Sequence, residues 1–184
     1  MTHRLPTTQA HRRALLAGLL FAPLGAALKP VHAWVSVEVR SVAFYHTHTA
    51  EQLTVTYFAD GVYVPESLAQ IDRLLRDFRT GEVHPIDVGL LDTLHALKGV
   101  CGGGTFEVIS GYRSAATNAL LQKSGAGVAA NSLHLQGCAI DVRLAGCETA
   151  SLRAAALALA RGGVGYYPAS DFVHLDTGRV RSWT

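Results

Sequence analysis

Between residues 35 and 57 apolar residues alternate with polar ones, at Val35, Val37 and Val39, then Phe44, then Leu53, Val55 and Tyr57. A period of two belongs to strands with one buried face, and the polar stretch Thr47 to Gln52 between the two runs predicts a hairpin turn. The period then changes. Leu68, Ile71, Leu74, Leu75 and Phe78 fall on one side of a helix that Pro65 can start and Gly81 can stop. Leu90, Leu91, Leu94 and Leu97 repeat the pattern in a second helix, with Asp87 as N-cap and Gly99 at its end. Gly102-Gly103-Gly104 feeds a short strand from Phe106 to Ile109. A helix from about Ser114 to Lys123 and a Gly/Ala-rich loop from Ser124 to Ala130 follow. Ala139, Ile140 and Val142 suit a strand that carries Asp141, and Thr149 to Arg161 suits an alanine-rich helix closed by Gly162-Gly163. Val164 to Tyr167 and Phe172 to Asp176 read as returning strands. The pattern predicts an α+β domain, a small antiparallel sheet flanked by helices, without internal repeats.

The first 33 residues read differently from the rest. Arg12 and Arg13 precede an apolar stretch of 15 residues, Ala14 to Leu28, and Val31-His32-Ala33 is a small-residue pattern suited to cleavage before Trp34. A membrane span needs about 20 apolar residues. The layout therefore predicts a cleaved export signal over residues 1–33, a single domain over 34–184, a periplasmic location and no stable membrane insertion after cleavage. The arginine pair is an imperfect version of the twin-arginine pattern, so the export route stays open. Removing Arg4, Arg12, Arg13 and Lys29 leaves 12 basic against 14 acidic residues. No basic run remains, which argues against nucleic acid as a partner. Cys101, Cys138 and Cys147 allow at most one intramolecular bridge, and their spacing does not choose the pair. Cys138 reads as a small core residue rather than a metal ligand.

Candidate chemistry gathers in the C-terminal half. His134, Asp141 and His174 offer two neutral imidazoles and a carboxylate, and three protein ligands leave a coordination position open, as hydrolytic zinc requires. One Zn2+ per chain is expected there. Arg113, at the end of a strand, has a guanidinium that can donate to a carbonyl oxygen as charge develops on it; the plain alternative is a structural ion pair. His46 and His48 lack a nearby carboxylate motif and read as residues of a solvated strand end. His95 reads as an ordinary helix histidine.

Several motifs in order sharpen this picture: Ser110-Gly111-Tyr112-Arg113-Ser114, then Ser132, His134, Gly137, Ala139 and Asp141, then Gly162 to Tyr167, and Phe172 to Gly178. Together they resemble the murein endopeptidase K family, within the wider group of zinc peptidases that includes D-Ala-D-Ala metallopeptidases, lysostaphin and the hedgehog fold. The resemblance runs through Arg181 and Trp183. It implies a murein endopeptidase acting on the peptide stems of peptidoglycan, at D-Ala to meso-diaminopimelate cross-links and bonds between diaminopimelates, with Tyr112, Ser132, Tyr166 and Tyr167 as cleft-lining candidates. For the general base two arguments disagree. The D-Ala-D-Ala metallopeptidases imply Asp171, three residues before His174, whereas strand parity puts Asp176 on the His174 face unless the chain bends after Pro168-Ala169-Ser170. The competing readings are a D,D-carboxypeptidase and a zinc-stabilised peptidoglycan-binding module without turnover.

Overall fold

The predicted hairpin comes first. Strand β1 (Arg40–His46) pairs antiparallel with β2 (Gln52–Ala59), Phe44 facing Leu53 across the turn. This is a computed structural model that describes Met1, residues 38–124 and residues 128–184. The expected export signal, Val35 and Val37 lie outside the described residues. Val39 is exposed ahead of β1, and the buried alternation falls on Val42, Phe44 and His46. His46 therefore corrects the expectation of a solvated strand end. It inherits the core-facing parity of its strand, is fully buried, and sets its ring edge against Phe78 with centroids 5.4 Å apart. His48 is exposed and stacks on the other side of the same turn, 4.3 Å from the Phe78 ring centroid.

A two-residue strand, β3 (Val62–Tyr63), extends the hairpin and leads into helix α1 (Pro65–Leu74), which Pro65 opens. The helix stops at Leu74, so Gly81 sits in the following loop with a positive φ rather than at the helix end. Helix α2 (Val88–Val100) starts where expected, with the Asp87 carboxylate accepting from Gly89 N at 2.7 Å. Leu90, Leu91, Leu94 and Leu97 are all buried. Next come β4 (Phe106–Ser110), α3 (Ala115–Lys123), β5 (Ala139–Leu144), α4 (Thr149–Leu159), β6 (Gly163–Tyr167), β7 (Phe172–Asp176) and β8 (Arg181–Trp183). Short 3-10 turns at Leu133–Gln136 and Pro168–Ser170 interrupt the connections.

From residue 38 onward these elements form one α+β unit built on a single sheet in the order β3-β2-β1-β4-β5-β7-β6-β8. The sheet is larger than expected and mixed. β1 and β4 run parallel, as do β6 and β8. Parallel neighbours need a crossover, and α1 and α2 supply it between the hairpin and β4. Val42, Phe44, Val108, Ile140, Val142, Val173 and Leu175 pack with leucines of α2 and α4 into one apolar core.

Strand parity then sends the intervening residues of β5 and β7 to the opposite face. Asp141 lies directly across from His174, and His174 from Gly165. β4 joins this face through an irregularity: Val108 pairs with Val142, but two residues later Ser110 pairs with Asp141. The extra residue turns Ser110 away from the core face that Phe106 and Val108 occupy, as bulges beside functional sites do. Ser110, Asp141, His174, Gly165 and Trp183 consequently form one row across five strands.

Candidate metal centre

His134, Asp141 and His174 meet at the middle of that row and are all buried. Asp141 and His174 come from paired strands. His134 arrives on the 3-10 turn, which Ser132 opens by accepting from His134 N and Gly137 closes in the left-handed conformation. A side chain at Gly137 would also run into the Pro85 carbonyl oxygen, so the position needs glycine twice over.

The facing atoms form a triangle. His134 Nε2 lies 3.2 Å from His174 Nδ1 and 3.3 Å from Asp141 Oδ1, and His174 Nδ1 lies 2.8 Å from Asp141 Oδ1. Ligands held at about 2.0–2.1 Å in a tetrahedral arrangement stand about 3.3 Å apart, so the donor set fits a small divalent cation. The remaining ring nitrogens point outward to fixed acceptors. His134 Nδ1 donates to the Gly111 carbonyl at 2.6 Å, which leaves Nε2 with its lone pair toward the triangle. His174 Nε2 donates to Asp176 Oδ2 at 3.1 Å, which leaves Nδ1 facing Asp141.

Electrostatics agree with this reading. Burial pushes the His134 imidazole below its ordinary value and keeps it neutral, the form in which histidine binds metal. Burial also opposes charge on His174, but hydrogen bonds to Asp141 and Asp176 outweigh it and raise its value. The position that stabilises a proton on Nδ1 is the position a metal cation would take. Burial works against the Asp141 carboxylate as well, yet the surrounding imidazoles hold it well below the usual carboxylate range.

Arg113 reaches the centre from the end of β4. Its Nε donates to Ser110 Oγ at 2.8 Å, and its Nη2 donates to Asp141 Oδ2, the carboxylate oxygen outside the triangle. The guanidinium lines a cleft of about 240 Å³ above the triangle, shared with Ser132, Tyr167, Phe172 and Trp183. Trp183 lies across Gly165, which leaves no room for a Cβ, and its ring centroid stands 5.2 Å from that of His174. Its Nε1 donates to the Tyr167 hydroxyl at 2.9 Å, and Tyr167 stacks on Phe172.

Three of the expected positions fall elsewhere. Asp171 is exposed, adopts a left-handed φ of 50° just before β7, accepts from the Thr149 hydroxyl at 2.7 Å and lies 3.8 Å from Arg143, outside the cleft. The turn at Pro168–Ser170 exists, but it does not carry Asp171 into the cleft. Tyr166 has the core parity opposite to Tyr167 and packs beneath Arg153. Tyr112 stacks on His84, centroids 4.8 Å apart, outside the cleft.

Asp176 touches the site, though not as an accessible base. Its side chain is fully enclosed. Oδ1 accepts from Gly163 N, Gly178 N and Arg181 Nη1, while Oδ2 accepts from Arg181 Nη2 at 2.7 Å and from His174. Burial alone would raise its value, but these donors hold the carboxyl far below the ordinary range. Arg181, through Asp176, and the Gly111 carbonyl thus brace the two imidazoles, contacts that the individual residues did not announce. Their signal lay in the longer motifs that contain them.

A buried His/Asp/His triangle with oriented imidazoles, opening into a cleft on an α+β sheet, is a donor set suited to a divalent metal, and the family match makes it that of a metal-dependent peptidase. The chain belongs to the family described as Peptidoglycan L,D-endopeptidase MepK, whose model matches residues 34–183. A protein of that name from Escherichia coli (strain K12) is 40% identical over 178 residues, covering 95% of this chain and 97% of the relative. The Haemophilus influenzae protein named probable peptidoglycan L,D-endopeptidase MepK is 41% identical over 146 residues, 78% of each chain. The resemblance expected from the motifs therefore holds across nearly the whole sequence.

Proposed function

We propose that this protein is a zinc-dependent endopeptidase that hydrolyses peptide cross-links of peptidoglycan. The observation that carries the reading is the triangle of His134 Nε2, Asp141 Oδ1 and His174 Nδ1, with each imidazole fixed from behind by Gly111 or Asp176. Zinc bound there supplies a Lewis acid that polarises an amide carbonyl and lowers the pKa of water toward about 7. The protein's own groups do the positioning. Arg113 holds Asp141 through one oxygen, and its guanidinium has five N–H donors, of which others can meet a substrate carbonyl in the cleft. Asp176 and Arg181 keep His174 in one tautomer and one orientation. Tyr167, Phe172 and Trp183 form an aromatic wall along which a peptide stem can lie, and Ser132 borders the opposite side.

The L,D designation in the names of the relatives favours one of these bonds. A bond between two diaminopimelates joins an L-configured to a D-configured centre, whereas D-Ala to diaminopimelate joins two D centres. We therefore place diaminopimelate–diaminopimelate cross-links first. Peptidoglycan lies outside the cytoplasmic membrane, which accords with an export signal over residues 1–33 and a periplasmic mature domain. None of the described helices is long and apolar enough to cross a membrane.

The test uses purified protein and two defined muropeptide dimers, one with each linkage, with and without chelator and beside His134→Ala. Mass spectrometry should show monomers from the diaminopimelate–diaminopimelate dimer, lost with chelator and in the variant. Release of only a terminal residue would instead establish a carboxypeptidase. Intact dimers with stoichiometric bound zinc would establish a binding module.

A further inference from the structure

The three cysteines are not equivalent in the fold. All are thiols in this structure and all are half-buried. Cys101 caps the C-terminus of α2, and Cys147 sits in the turn between β5 and α4. These two segments are bound together by backbone. Ala145 N donates to Thr105 O at 3.0 Å, Phe106 pairs with Leu144, and a side chain at Gly104 would strike the Ala145 carbonyl oxygen. Leu144 also bridges to Cys147, so the turn folds back on the end of β5. Cys101 and Cys147 pack against the same apolar core. The Cys101 thiol is pushed up to about 11, first by burial and then by the Cys147 thiol beside it. Cys138 belongs to a different neighbourhood, with its Sγ 3.7 Å from Asp87 Oδ2 and 3.5 Å from the Gln136 carbonyl oxygen.

We propose that Cys101 and Cys147 are a disulfide site, closed when the protein meets a disulfide-bearing oxidant, and that Cys138 remains a thiol. The step is an exchange. The Cys147 thiolate attacks the oxidant's disulfide and expels one of its sulfurs as a thiolate, which takes up a proton. Cys101, losing its own proton, then displaces the second sulfur from the mixed disulfide. Cys101 and Cys147 together lose two electrons and two protons, and the oxidant becomes two thiols. The enclosed segment carries Arg113, His134 and Asp141, so the bridge would restrict, in the unfolded chain, the stretch that supplies most of the metal centre.

Purified, reduced protein is equilibrated with oxidised glutathione, alkylated, and mapped by mass spectrometry without reduction. The expected product is a linked pair of peptides containing Cys101 and Cys147, with Cys138 alkylated, and a Tm about 5 °C or more above that of the reduced protein. Cys138→Ser should form the same bridge, while Cys101→Ser and Cys147→Ser should form none. A bridge that includes Cys138, or full alkylation of Cys101 and Cys147 in the folded parent after oxidation, overturns the proposal. The parent protein alone gives that answer, even if a variant folds poorly.

Discussion

Asp171 and Asp176 flank the same histidine, yet their neighbours give them opposite duties. Asp176 spends both oxygens on His174, Arg181 and two backbone N–H groups, while Asp171 faces solvent with Thr149 as its partner. Asp176→Ala should therefore lower zinc affinity about 10–100-fold, as loss of a carboxylate behind a ligating imidazole does. Turnover should fall with it. Asp171→Ala should leave both within about twofold, as exposed substitutions usually do. Competition with a chromogenic chelator reads the affinity; normal affinity in Asp176→Ala beside abolished turnover in Asp171→Ala would reverse the assignment. The triangle itself was legible because residue type, spacing and strand parity all bear on it. The duties of the two carboxylates were not, because they depend on a left-handed φ at Asp171 and on Arg181 folding back from the next strand.

At the scale of elements, helices and the late strands could be read from periodicity, and β7 begins and ends where the pattern predicts. The bulge before Ser110 could not, since nothing in Phe106 to Ser110 marks where the register slips. Nor could the tether that fixes the segment after it. Asp77, buried in the loop after α1, accepts from Arg79 N and Ser114 N at 2.9 Å each and so pins that loop to the start of α3, next to Arg113. Burial would raise its pKa, but the hydroxyls of Thr117 and Ser114 and these N–H groups outweigh it and hold the value at about 2, against an ordinary 3.8. A carboxylate with a lowered folded value stabilises above its unfolded pKa and loses that contribution as pH falls through the folded one. The shift corresponds to about 2 kcal/mol. Asp77→Asn should cost about that much at neutral pH, and the gap from the parent should close between about pH 4 and pH 2. Urea unfolding of both proteins at each pH measures it; a gap independent of pH would mean that charge on Asp77 contributes nothing.

Across the whole molecule, the proposed metal ligands Asp141 and His174 sit on interior strands of the sheet. β5 and β7 are neighbours near its centre, and the 3-10 turn that brings His134 is tied to the strands when Arg113 N donates to His134 O. A cation held by these residues is therefore bonded to the cooperative centre of the fold rather than to a loop that can open on its own. Without it, the protein buries a carboxylate and two imidazoles against one another, balanced by Arg113, Asp176 and the Gly111 carbonyl. Binding should then be visible as stability of the entire domain. At free zinc about 100-fold above its Kd, linkage adds about 2.7 kcal/mol, which for a domain of this size raises Tm by about 5–10 °C. Chelator should remove the gain and added zinc restore it, with no response in His134→Ala. Calorimetric scans would show one transition moving as a whole. A zinc response confined to a minor early transition would instead place the centre on a locally unfolding segment, contrary to its position on the paired interior strands β5 and β7.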